Sequence, residues 1–280
     1  MNSNFRIGSL FGIPFYVNVS WFLVFGLTAL SFGSGLAQQF PAFAPYSLGM
    51  GLIAGLLMFG SVLLHELGHS IAAQQQGITV RSITLFLFGG MARLEKDADT
   101  APGAFKIAIA GPLVSLALFL GLATIAGSGI VAGPVAAVVS PLAYVNLMLA
   151  VFNMIPGLPL DGGNVLKALV WQVTGDRYRG IRWASRTGQF VAWIAIMIGI
   201  FSMLGLSTLG NFWTFLLGVF LLQNAKQSGR VAAMEELMSF VRGDHDSMPD
   251  QQQWVGQQQV AYEPVRVRAT TIDIPSVEIH

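Results

Sequence analysis

The 280-residue sequence has no cysteine and only four histidines. Lack of cysteine removes any disulfide framework, any thiolate metal site and any thiol nucleophile. Charge is scarce as well. Asp, Glu, Lys and Arg make up 10% of the chain, against about 25% in an ordinary soluble domain. A soluble protein so poor in charge struggles to cover its surface, which argues against an ordinary soluble enzyme. The 15 basic and 14 acidic residues leave a net charge of +1 and no basic patch, which argues against nucleic acid as a partner. Apolar residues fill 54% of the chain instead, with 32 glycines among the rest. That hydrophobicity is incompatible with disorder over most of the length.

A helix needs roughly 17–25 apolar residues to cross a bilayer. Six runs are candidates: Phe15–Gly33, Leu48–Ala73, Ala104–Gly127, Pro134–Ile155, Gln189–Gly205 and the short Phe212–Gln223. The first has only Arg6 ahead of it and lies too deep for a cleaved signal peptide, so it reads as a retained span. Basic residues occupy alternate loops. Arg81, Arg93 and Lys96 lie in the second, Lys167, Arg177, Arg179, Arg182 and Arg186 in the fourth, and Lys226 opens the tail. Loops one, three and five have none. The positive-inside rule then places both termini and both charged loops in the cytoplasm. The fold expected is an α-helical polytopic membrane protein of about six transmembrane helices.

Only two acidic residues touch these spans: Glu66 inside the second and Asp161 just after the fourth. An ionisable group inside a bilayer is costly and marks function by default. Glu66 belongs to the sequence His65-Glu66-Leu67-Gly68-His69. Residues four apart share one helix face, so both imidazoles can meet one metal ion. Zinc takes neutral imidazole well, and Glu66 stands where a general base is needed to accept a proton from water. By composition alone this pattern would arise about 0.001 times in such a chain. The alternative, three buried polar side chains each bonded to a neighbouring helix, requires a separate partner for each.

Catalytic zinc usually has a third protein ligand and one open position. Asp161 is the best candidate. It follows Pro156 and Pro159 in Asn153-Met154-Ile155-Pro156-Gly157-Leu158-Pro159-Leu160-Asp161-Gly162-Gly163. The prolines break the fourth span, and unwound backbone at that depth has to line a cavity or be covered by protein. Asp161 then opens a helix predicted over Gly163–Val173, where capping is the alternative role. An open zinc site in the same membrane favours the ligand.

HELGH in a transmembrane helix, followed about 90 residues later by N-x-x-P-x-x-P-L-D-G-G, resembles the site-2 protease family of intramembrane zinc metalloproteases. The likeness extends over roughly residues 10–225. It implies His65, His69 and Asp161 as ligands of one zinc ion, Glu66 as general base, and Asn153 as a group holding the substrate backbone or the oxyanion. It also implies a membrane-associated β-hairpin over Ile78–Leu94, a segment rich in β-branched and aromatic residues with Gly89-Gly90 at its turn. An open strand edge there could pair with an unwound substrate, or simply pack on the bundle. At the third span, Ala110-Gly111-Pro112-Leu113-Val114-Ser115 carries small residues that permit close helix approach. The family commonly has asparagine where Ser115 stands, which puts a substrate contact there in doubt.

No loop is long enough for a PDZ domain. The compact form, residues 1–225, resembles the group whose members end in cystathionine-β-synthase (CBS) domains. In the tail, residues 226–280, Ala232–Val241 has amphipathic spacing, Asp250–Gln259 is a glutamine-rich linker, and Arg266–His280 alternates like the first strand of a CBS domain. A truncated CBS domain and a naturally disordered tail are equal alternatives here, and a nucleotide partner would require the former to be complete. The function expected is endoproteolysis of transmembrane segments of membrane-tethered proteins. By analogy these are anti-sigma factors, tethered regulators or signal-peptide remnants, cut within the bilayer of a cell (inner) membrane or a thylakoid-type membrane. A homo-oligomer is compatible with the sequence. The competing functions are a membrane zinc transporter and a zinc-binding scaffold. A transporter calls for ligands repeated along a route, often in paired halves, whereas these cluster once. A scaffold has no use for Glu66.

Overall fold

A computed structural model describes residues 4–87 and 89–242; the glutamine-rich linker and the strand-like Arg266–His280 lie outside the described residues. The chain begins with β1 (Asn4–Leu10) and β2 (Ile13–Asn18). They pair antiparallel around Phe11 and Gly12, with φ of 51° and 78°. Two consecutive positive φ values make a type I′ turn, whose twist suits a hairpin. Next come α1 (Val19–Gln39), a 3-10 turn at Pro41–Tyr46, and α2 (Ser47–Gln74). A second hairpin, β3 (Val80–Phe86) and β4 (Gly89–Leu94), precedes α3 (Ala101–Gly127) and α4 (Gly133–Asn153). The described residues end with α5 (Asp161–Thr174), α6 (Arg177–Met203) and α7 (Phe212–Arg242).

Among the described residues, five helices are long and apolar enough to cross a membrane: Val19–Gln39, Pro41–Gln74 with its leading 3-10 turn, Ala101–Gly127, Gly133–Asn153 and Arg177–Met203. Their outward faces keep large apolar side chains exposed, among them Leu23, Leu27, Ile53, Leu56, Leu120 and Trp193. A chain of this kind is an integral membrane protein. The sixth run, Phe212–Gln223, and the amphipathic stretch Ala232–Val241 are two parts of one 31-residue helix, α7. Its polar second half keeps α7 out of that set.

The sequence reading starts the first span at Phe15, but the helix starts at Val19. Ile13–Asn18 is instead drawn into a sheet, where Phe15, Tyr16 and Val17 lie parallel to Ile83, Thr84 and Leu85. Asn18 then caps α1, accepting from the Ser20 amide at 3.0 Å and so satisfying one of the free donors at a helix start. The expected hairpin is therefore half of a four-stranded sheet in the order β1-β2-β3-β4. In β2 the inward side chains Ile13, Phe15 and Val17 alternate with partly exposed ones, the period-two pattern of a sheet with one covered face. Ile13, Phe15, Val80 and Ile83 pack with Leu67 and Ala73 of α2. This seats the sheet beside the HELGH turn and leaves β4 as an edge strand.

Candidate metal centre

His65 and His69 lie one turn apart on α2, both buried, with ring centroids 4.9 Å apart. Their Nε2 atoms are 3.2 Å from each other. The Asp161 Oδ2 atom lies 3.0 Å from Nε2 of His65 and 3.2 Å from Nε2 of His69. The three form the one group of metal-ligating side chains found among the described residues.

Each imidazole is held from behind. Nδ1 of His69 donates to the Ile107 carbonyl at 2.7 Å. A carbonyl accepts only, so this bond puts the proton on Nδ1 and leaves the Nε2 lone pair facing Asp161. Nδ1 of His65 pairs with the Ser115 hydroxyl at 2.8 Å, and Ser115 is fully buried. Lone pairs of two imidazoles and a carboxylate thus converge on one point. Atoms 2.0–2.1 Å from a tetrahedral centre stand about 3.3 Å apart. The observed triangle, with sides of 3.0, 3.2 and 3.2 Å, is close to one face of such a tetrahedron. The residues present fit zinc.

Glycines bring the surrounding elements into reach. A Cβ on Gly111 of α3 would lie 2.2 Å from Nε2 of His69 and 2.7 Å from Nε2 of His65. A Cβ on Gly68 would lie 3.0 Å from the Ala110 carbonyl, so the glycine inside HELGH is what lets α2 approach α3. On the other side, Gly90 of β4 sits against Glu66, where a Cβ would meet Cγ at 2.4 Å. At the prolines α4 ends and the backbone runs irregularly through Met154–Leu160, with a cis peptide at Leu158-Pro159. Gly162 and Gly163 allow this segment to fold back on the first turn of α5: their Cβ atoms would fall 2.3 Å from the Met154 carbonyl oxygen and 2.3 Å from the Gly157 carbonyl carbon. The break therefore aims Asp161 at α2. No side chain caps α5, so capping, the alternative role for Asp161, is absent.

A cavity of about 290 Å³ opens over the triangle, lined by His65, Glu66, His69, Asn153, Asp161 and Lys167 among others. All five site residues read from the sequence therefore meet in one place. The Asn153 side chain, on the last turn of α4, donates to the Leu149 carbonyl at 3.0 Å. Sequence reasoning missed two members. The sequence leaves Ser115 able to hydrogen-bond but names no partner, and the structure places it behind His65. Lys167 reads from the sequence only as a loop charge. It is half-buried, and burial pushes its ammonium below the ordinary lysine value, with Asp97 pulling it back up.

The model of peptidase family M50 matches residues 53–131 and 120–195, which together contain HELGH, Asn153 and the Asp161 turn. The chain belongs to peptidase family M50. It is 55% identical over 253 residues to sll0528 of Synechocystis sp., a protein provisionally named a zinc metalloprotease, across 89% of this chain and 66% of that one. Rip3 of Mycobacterium tuberculosis, named in the same way, is 36% identical over 239 residues, across 81% of this chain and 60% of Rip3. The M50 chain thus spans about two thirds of the length of the curated relatives it matches. Among solved structures it is similar to the site-2 protease from Methanocaldococcus jannaschii, with a TM-score of 0.56 and 28% identity, across 81% of this chain and 95% of that one.

Proposed function

We propose that this M50 chain is an intramembrane zinc endopeptidase that cuts transmembrane segments of membrane-tethered proteins. The observation that carries the reading is the triangle of His65, His69 and Asp161 with Glu66 beside it, inside apolar helices. Support comes also from the relatives' names. His65, His69 and Asp161 hold one zinc ion. When bound, zinc supplies the Lewis acidity that polarises a peptide carbonyl and acidifies water. Glu66 accepts the proton of the attacking water and returns it to the leaving amine, as a base and then an acid. Ser115 and the Ile107 carbonyl keep the imidazoles aimed, and such partners strengthen a ligand by fixing its tautomer. Asn153 orients the scissile carbonyl from the end of α4.

A substrate helix hides its carbonyls in its own hydrogen bonds and has to unwind before attack. The free edge of β4, which lines the cavity through Gly90, Met91 and Ala92, offers the freed backbone new partners. Residues 1–225 carry the protease unit, and residues 226–280 are its cytoplasmic extension. The loops that hold the basic residues face the cytoplasm, with both termini. Tethered regulators, anti-sigma factors and signal-peptide remnants are the substrate class, in a cell (inner) membrane or a thylakoid-type one.

Two variants test the assignment in purified protein. Glu66→Gln should keep its zinc and lose cleavage of a model transmembrane substrate by about 10²–10⁴-fold. Asp161→Ala should lose zinc. Wild-type cleavage by Glu66→Gln would refute the mechanism, and wild-type zinc affinity in Asp161→Ala would remove the third ligand. Zinc transport without cleavage would favour the transporter instead.

A further inference from the structure

The first two turns of α5 present three polar side chains to the cavity: Asp161, Asn164 and Lys167. Asp161 is engaged by both histidines. The other two are not engaged. Neither the Asn164 amide nor the Lys167 ammonium makes a side-chain hydrogen bond or ion pair with any described residue. The carboxylate nearest in kind, Asp97, also lines this space but is taken by Arg177. Lys167 is half-buried, and a charge withdrawn from water is normally paired. An unpaired one that opens into a substrate cavity is a vacant half of an ion pair.

The rise of α5 gives its place relative to the chemistry. Along α5, six residues separate Lys167 from Asp161, a rise of about 9 Å at 1.5 Å per residue. On the opposite wall of the cavity lie Gly90, Ala92 and Leu94 of β4, with Gly90 against Glu66, and Asp97 beyond the strand lines the same space. An extended strand advances about 3.3 Å per residue. A peptide lying between β4 and α5, with its scissile carbonyl at Glu66, reaches the level of Lys167 after about two or three residues. The new C-terminal carboxylate would stay near Glu66, short of that level.

Resting on the endopeptidase reading, we infer that Lys167 and Asn164 form an anion subsite that binds an acidic side chain of the substrate two or three residues from the scissile bond. It lies on the side that leads to the charged segment Lys96–Asp99. The amide and the ammonium supply donors, and the substrate supplies the carboxylate. The site thereby selects where along an apolar segment the cut falls, because an acidic residue is rare in such segments and common at their ends.

The test uses the purified full chain with zinc bound. Model transmembrane peptides carry Glu or Gln at each of the three positions on either side of the cut. The wild type should cleave one Glu peptide, substituted at the second or third position, about tenfold better in kcat/KM than its Gln partner, equivalent to about 1.4 kcal/mol. Lys167→Met should bring that ratio close to one, Lys167→Arg should preserve it, and Lys167→Glu should invert it in favour of Lys at the same position. A second reading needs no turnover: in Glu66→Gln protein, the Kd of a fluorescent Glu peptide should be lower than that of its Gln partner by the same factor. A ratio near one at all six positions in the wild type overturns the subsite. So does a ratio that survives Lys167→Met, including an equal loss on Glu and Gln peptides. Equal loss would indicate a structural role or contact with the new C-terminal carboxylate, which both peptides share. If the wild type cleaves no peptide at all, the endopeptidase reading fails, and the binding measurement still decides the subsite.

Discussion

Gly111→Ala is the sharpest perturbation of the metal centre, because it adds one methyl group and touches no ligand chemically. The added carbon would sit 2.2 Å from Nε2 and 2.6 Å from Cε1 of His69, and 2.7 Å from Nε2 of His65. Ordinary contact is about 3.5 Å, so the rings or α3 have to withdraw by about 1 Å. Neither ring is free to do so, since Ser115 and the Ile107 carbonyl hold them at 2.8 and 2.7 Å. Metal–ligand distances tolerate only about 0.2 Å. Zinc affinity should therefore fall by at least about 100-fold, the upper end of what a lost supporting partner costs. With free zinc at 100 times the wild-type Kd, binding stabilises the fold by about 2.7 kcal/mol, and the variant should forfeit most of that. Overpacking itself adds a cost of about 1–3 kcal/mol. Gly121→Ala is the control on the same helix, where a Cβ would meet nothing within 4 Å. It should be neutral or stabilising by up to about 1 kcal/mol. Zinc content by elemental analysis, a chelator competition for Kd, and thermal unfolding with and without zinc make the assay. Wild-type zinc affinity in Gly111→Ala would refute the placement of the metal at the Nε2 triangle.

Two further outcomes follow from hydrogen bonds that support the ligands from behind and from the next turn of α2. Ser115→Ala removes the partner of His65 Nδ1 and should weaken zinc binding by about 10–100-fold, read by the same competition; unchanged affinity would mean that His65 needs no such support. The fully buried Asn146 donates to Ser61 at 3.0 Å, joining α4 to α2 one turn above His65. A double-mutant cycle of Asn146→Ala and Ser61→Ala should show a coupling of about 0.6 kcal/mol, the size typical of such bonds between membrane helices, and zero coupling would remove that bond from the account.

Much of the site was legible because its parts are local. His65 and His69 share a face by spacing alone, and the prolines before Asp161 announce a break that only a cavity or covering protein can accommodate. What was not legible depends on which elements meet. Ser115 lies behind His65 because α3 packs closely on α2, and Gly111 and Gly90 matter only for what a Cβ there would strike. Lys167 looked like one more loop charge until α5 turned it into the cavity. The sheet was half legible. Val80–Phe86 and Gly89–Leu94 stand apart in the sequence, whereas Ile13–Asn18 merges into the apolar run that becomes α1. Its strand pairing with β3 joins positions 68 residues apart, such as Phe15 and Ile83, which no local pattern announces. Similarly, α7 is one helix of two compositions, so periodicity divided it.

The proposed reaction of this M50 chain is hydrolysis of a peptide bond within an apolar transmembrane segment. The direct measurement is mass spectrometry of the products formed when purified, zinc-loaded protein is reconstituted into liposomes with a single-span substrate. Two fragments should form whose new ends lie inside the apolar segment, absent with Glu66→Gln or after chelation. Fragments ending only in the polar flanks, or the same fragments from Glu66→Gln, would contradict it.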